Sequence, residues 1–239
     1  MTALVHAQLV GLRTLRSTYL VAGVFIAVVA IVTGVTMHEA GSADLRTETD
    51  LRDPLVAAAG IMGAIVMAVF AATRVAGEYR HDTIAQRVLA APRRARLVVA
   101  SLLVHGTFAA VVTGVAFLIA AALAGPMLDG KGLSTGLDGG ELVQVGAAVV
   151  LAGSAFGLLG VSVGFLTRSP APAVAAVFGV FFAEQLLGDV GGYLPFALLN
   201  SLLEFGGPLS VGLAAAVLTA IAVGLAVLAA VYAERRDVA

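Results

Sequence analysis

The segment Gly125-Pro-Met-Leu-Asp-Gly130-Lys131-Gly132 comes close to a phosphate-binding loop, with two glycines and a lysine at the required spacing. In such a loop, backbone N–H groups cradle the phosphates and a Ser or Thr after the lysine holds magnesium. Gly132 stands where that hydroxyl is needed and no strand pattern precedes the segment, so it reads as a flexible loop. A second possible chemistry is hydrolysis by Ser154 with His105, which needs hydroxyl and imidazole within hydrogen-bond reach and oxyanion donors nearby. Ser154 lies in Ala-Gly-Ser-Ala-Phe-Gly, without the Gly-x-Ser-Gly arrangement of intramembrane serine hydrolysis, and no histidine lies in the last apolar run. The four histidines, His6, His38, His81 and His105, are too scattered to suggest a metal site, and the absence of cysteine excludes thiolate nucleophiles and disulfides. No catalytic, cofactor-binding or metal-binding residue is assigned, and the chain is expected not to be an enzyme.

The elements carrying these residues are set by composition. Of 239 residues 60% are hydrophobic and 12% charged, and the mean hydropathy is +1.02, far from a soluble domain. Long charge-poor runs must keep their backbone hydrogen bonds internal in lipid, and runs of this length suit helices rather than barrel strands. The expected fold is all-α, a single membrane domain over residues 1–239 with six spans at about 18–37, 55–73, 97–124, 142–167, 171–187 and 209–232. Arg13 and Arg16 before the first run resemble the start of a secretory signal, but the run is longer than a signal's roughly 7 to 15 apolar residues.

Six spans place 11 of the 14 basic residues on one side: Arg13, Arg16, Arg74, Arg80, Arg87, Arg93, Arg94, Arg96, Arg168, Arg235 and Arg236. Positive charge is retained in the cytoplasm during insertion, so both termini are expected inside. Most acidic residues fall toward the other side, with Glu184 and Gln185 late in the fifth span, near its outer end and meeting water. Lys131 is the one lysine among the basic residues, an arginine bias that fits a GC-rich prokaryote and hence a bacterial plasma membrane.

The largest cytoplasmic segment runs from Arg74 to Arg96. Ile84 and Val88 are four apart with Leu89 alongside, which gives a short helix one modest apolar face before Pro92 stops it. Physics alone leaves two readings: a surface helix held by arginines to anionic headgroups, or an element on which a cytoplasmic motor pushes. The order Glu78-Tyr79-Arg80-His81, Thr83-Ile84, Leu89, Pro92 and Arg94, directly after a second span, resembles the signature loop of permease subunits of type-2 ABC transporters. This chain departs from that pattern at Asp82, where glycine is usual, and at Ser101, where lysine often follows the arginine.

The resemblance implies a coupling helix docked on a separate ATPase subunit, with Glu78, Arg80, Thr83 and Ile84 at the contact and Pro92 and Arg94 setting the turn into the third span. ATP and magnesium would then belong to that partner, and a second permease subunit, the same or different, would complete a dimer. An exporter of hydrophobic or amphipathic cargo such as a drug, antibiotic, peptide or lipid is implied, and no nucleic acid. The alternative is an ATP-independent channel or secondary transporter, for which paired intramembrane charges or broken helices are expected. His105, the ionisable group deep in a span, fits either a translocation path or a neutral ring bonded to a neighbouring carbonyl.

Two flanking segments complete the pattern. Thr2 to Ser17 places Val5, Leu9 and Leu12 on one helical face, as an interfacial helix would, and resembles the family's N-terminal elbow helix. Tyr193 to Glu204, bracketed by glycines, is too short to span; it lies where the family has short re-entrant helices on the outer side, and the alternative is a simple surface helix. Gly153, Gly157 and Gly164 form a small-residue face along the fourth span, against a neighbour in this chain or another.

Overall fold

The computed structural model describes residues 2–40, 48–80 and 94–235, and all secondary structure among them is helical. The elements are α1 (Thr2–Thr14), α2 (Arg16–Glu39), α3 (Glu48–Val56), a π-helical turn (Ala57–Ile61), α4 (Met62–Arg80), α5 (Arg94–Asp129), α6 (Gly139–Thr167), α7 (Pro170–Leu186), a 3₁₀ turn (Gly188–Tyr193), α8 (Pro195–Leu202) and α9 (Val211–Arg235).

Among the described residues five helices are long and apolar enough to cross a membrane: Arg16–Glu39, Leu51–Arg80, Arg94–Asp129, Gly139–Thr167 and Val211–Arg235. The run expected as the fifth of six spans is α7, whose 17 residues rise about 25 Å, short of a hydrocarbon core about 30 Å thick. The second span is longer than its apolar run because α3, the π turn and α4 continue one another from Leu51 to Arg80. Pro54 in α3 has no N–H to give the preceding turn, and the wider π turn follows it.

Packing is organised around α6, which touches α4, α5, α7 and α9. Lipid offers helices no hydrophobic drive toward one another, so close backbone approach at small residues must supply the contact. A Cβ on Gly157 would lie 2.9 Å from that of Ala109 on α5, and one on Gly153 would meet Thr113 of the same helix. Gly160 lies directly against the Ala68 carbonyl of α4, and a Cβ on Gly164 would come within 2.7 Å of the Ala72 carbonyl. Positions 153, 157, 160 and 164 share one narrow stripe, so α5 and α4 meet it at different heights. The small-residue face seen in the sequence therefore packs within this chain. Two-thirds of the apolar window in Leu51–Arg80 and in Gly139–Thr167 is buried, against 22% in Arg16–Glu39 and Val211–Arg235, which puts α4 and α6 inside and α2 and α9 at the periphery.

Charged groups at the end of the bundle nearest Lys131 secure helix termini. The Lys131 ammonium donates to the carbonyls of Met37, His38 and Ala40 at 3.1, 2.6 and 3.1 Å, closing the C-terminus of α2. Asp138 caps α6, accepting from Gly140 and Glu141 N–H at 2.8 Å each. Arg52 pairs with Glu204, whose backbone is left-handed at φ 64° just after α8.

Glu184 corrects the sequence expectation. Rather than meeting water it is 5% exposed, and its carboxylate accepts from the N–H groups of Phe196 and Ala197, both at 3.0 Å, in the first turn of α8. A helix N-terminus in an apolar setting needs such an acceptor, because its first N–H groups have no partner within the helix. Gly191 permits the arrangement, since a Cβ there would collide with the Glu184 carbonyl. The short apolar segment expected between the last two spans is thus a helix folded back onto α7, α6 and α9. The N-terminal helix also forms, but its buried face is Gln8 and Leu12 with Val5 partly buried, while Leu9 is 44% exposed.

Candidate functional site

Where α2, α4 and α7 part, a cavity of about 630 Å³ opens beside the last turns of α4. Leu15, Val21 and Phe70 give it an apolar side, and Arg74, Glu78 and Arg80 a charged one. Positions 70, 74 and 77 lie on one helical face with 78 beside it, so α4 supplies both characters as it leaves the apolar part of its sequence. The cavity is amphipathic along its length.

The residues singled out for coupling separate into three groups. Glu78 is 7% exposed and lines the cavity. Arg80 is exposed at the end of α4, and Arg94 is half-buried at the start of α5. Thr83, Ile84 and Pro92 lie outside the described residues. The structure therefore brings Glu78 and Arg80 together on the cavity wall and places Arg94 on the next helix.

The sequence reading missed the contacts made by the end of α4 and the start of α5. On α4, Tyr79 meets Phe165 edge-on, with ring centroids 6.1 Å apart. The Arg168 guanidinium lies 5.3 Å from the centroid of the Tyr79 ring and 5.3 Å from that of Tyr232, so a cation–π stack ties α4, the C-cap of α6 and α9. Arg168 reaches this place from a left-handed backbone at φ 56°, its N–H bonded to the Gly164 carbonyl. On α5, Glu234 accepts from the Ala95 N–H at 2.9 Å, satisfying one free donor of the first turn. Tyr232 and Glu234 belong to one turn of α9, and that turn is tied to both helices. Sequence alone counted Arg168 as a cytoplasmic charge, and nothing in its spacing pointed to two tyrosines far along the chain.

His105 is 2% exposed, and its Nδ1 lies 2.9 Å from the Ser101 carbonyl one turn earlier. A carbonyl only accepts, so Nδ1 carries a proton in this contact, and the ring is bonded to a carbonyl of its own helix. Its ring centroid is 6.4 Å from that of Phe70, one side chain removed from the cavity. Gln8 donates to the Ser101 hydroxyl at 3.0 Å, fastening α1 to α5 at the same level.

The remaining chemical candidates become structural. Ser154 donates to the Leu151 carbonyl within its own helix, and Lys131 is engaged by the α2 carbonyls. Among the described residues no group of three or more metal-ligating side chains comes together. No family model matches the chain, and no curated protein matches it.

Proposed function

We propose that this chain is the permease subunit of an ATP-driven ABC exporter of the type-2 kind, embedded in a bacterial plasma membrane and coupled to a separate cytoplasmic ATPase. The observation that supports it most is that one turn of α9, through Tyr232 and Glu234, is tied both to the end of α4 at Tyr79, by way of Arg168, and to the start of α5 at Ala95. A loop that transmits movement must have stiff ends, otherwise displacement at its tip is absorbed locally. Thr83 and Ile84 lie in sequence between these two helices, of which Arg80 is the last residue and Arg94 the first.

In this reading α1 lies at the membrane surface, α7 completes a sixth crossing with the 3₁₀ turn beyond it, and α8 is re-entrant on the outer side. Both termini are cytoplasmic. The cavity of α2, α4 and α7 begins a path for hydrophobic or amphipathic cargo, whose charged portion would meet Arg74, Glu78 and Arg80 and whose apolar portion would meet Phe70. A second permease subunit closes the open side. ATP and magnesium are bound by the ATPase, whose approach on nucleotide binding is relayed through the loop to the helices.

The test is a pull-down of the ATPase and a cargo-efflux assay at matched expression. Ile84→Asp is expected to weaken ATPase association by about tenfold, equivalent to about 1.4 kcal/mol, and to lower efflux with it. Glu78→Ala is expected to uncouple hydrolysis from efflux, while Arg236→Ala leaves both unchanged. Wild-type association and efflux in both loop variants would remove the main support for an exporter.

A further inference from the structure

On another side of the bundle, α5 and α9 touch along their buried faces and leave between them an apolar slot of about 310 Å³, with Leu158 of α6 at its floor. One wall is Val99, Leu102 and Leu103, and the other is the row Ala222, Ala226 and Ala230. A helix about 10 Å across fills roughly 400 Å³ per 5.4 Å turn, so the slot is too small to seat one. A flexible hydrocarbon chain fits it, and the alanine row leaves the depth such a chain needs.

The end of the slot formed by the start of α5 and the last turn of α9 carries opposite charges on its two walls. Arg96 precedes Val99 by three residues and Leu103 by seven, which puts it on the same helical face, and it is exposed. Glu234 follows Ala230 by four and Val227 by seven, likewise on the slot face and exposed. Its bond from the Ala95 N–H fixes the carboxylate at this end, with one oxygen engaged.

From this charge pattern we propose that the slot is a binding site for an aminophospholipid such as phosphatidylethanolamine. One acyl chain lies along the alanine row, the phosphate meets Arg96, and the primary ammonium donates to Glu234. A choline headgroup has no N–H to donate, and a glycerol headgroup brings no cation to the carboxylate, so both lose half of the recognition. The proposal needs only a bilayer around the chain and stands apart from the exporter reading.

The chain contains no tryptophan, so Leu103→Trp or Val227→Trp introduces a single indole into one or other wall of the slot. Leu118→Trp, exposed on α5 outside the slot, is the reference. The full chain is reconstituted in phosphatidylcholine bilayers containing phosphatidylethanolamine, phosphatidylglycerol or phosphatidylcholine with brominated acyl chains, and fluorescence quenching is read. Brominated phosphatidylethanolamine is expected to quench the slot reporters several-fold more effectively than the other two lipids, with no such preference at position 118. Arg96→Gln and Glu234→Gln, placed in either reporter, are each expected to abolish the preference. Equal quenching by all three lipids at both slot positions overturns the site, and so does a preference that survives both substitutions. Stronger quenching by phosphatidylglycerol overturns the assignment of the headgroup.

Discussion

Lys131 and Glu184 are both set against helix ends of opposite polarity, a cation on the last carbonyls of α2 and an anion on the first N–H groups of α8. Each satisfies backbone groups that the helix itself leaves without partners. Glu184→Ala deletes the acceptor of one buried and one partly buried N–H group and is expected to cost about 1–3 kcal/mol, seen as a melting temperature lower by roughly 2–4 °C per kcal/mol in detergent. Glu184→Gln keeps one acceptor oxygen and should fall between. A Glu184→Ala protein melting like wild type would mean that α8 is seated without its cap. Lys131→Met should likewise melt earlier, because three carbonyls lose their shared donor, and added ATP should shift neither protein. Nucleotide-dependent stabilisation lost in Lys131→Met would restore the phosphate-loop reading that Gly132 argues against.

At the level of elements, the contact between α4 and α6 depends on what Gly160 lacks. A Cβ there would collide with the Ala68 carbonyl, which is backbone and cannot rotate away, so α4 and α6 would have to separate. Gly160→Val is expected to destabilise the chain by about 1–3 kcal/mol or more, measured as loss of monodisperse protein on size exclusion. Gly34→Val, on α2 where nothing lies within 4 Å, is the matched control and should behave like wild type. The spacing of Gly153, Gly157 and Gly164 was legible, because a 3.6-residue period maps positions onto a face from sequence alone, whereas Gly160 was not singled out. The partners of that face were not legible, since α4 and α5 compete for it and only packing assigns each a height. The stack of Tyr79, Arg168 and Tyr232 was illegible for a related reason: a cation beside the membrane satisfies the charge rule equally well in water or between rings.

For the whole molecule, the prediction is orientation. With 11 of 14 basic residues on one expected face, the segments containing Arg46 and Gly136 should lie outside and that containing Arg87 inside. The chain has no cysteine, so single cysteines at these positions give a clean background. An impermeant maleimide applied to intact cells should label positions 46 and 136 and leave 87 untouched until the membrane is opened. Labelling at 87 in intact cells would invert the topology and place the cavity of Arg74, Glu78 and Arg80 on the outer side.

Sequence by itself determined that the chain is helical and membrane-embedded, and approximately where its long helices lie, because lipid forces each apolar run to satisfy its own backbone and so makes the decision local. It also marked His105 for a carbonyl-bonded alternative, since a buried imidazole can meet the carbonyl one turn back on its own helix. Tertiary structure alone decided that Glu184 caps α8, that Lys131 closes α2, and that one turn of α9 is tied to the end of α4 and the start of α5. In each case the partners lie on different elements, and a charged side chain's choice among water, a helix end and an aromatic face depends on which of these the packing brings within reach.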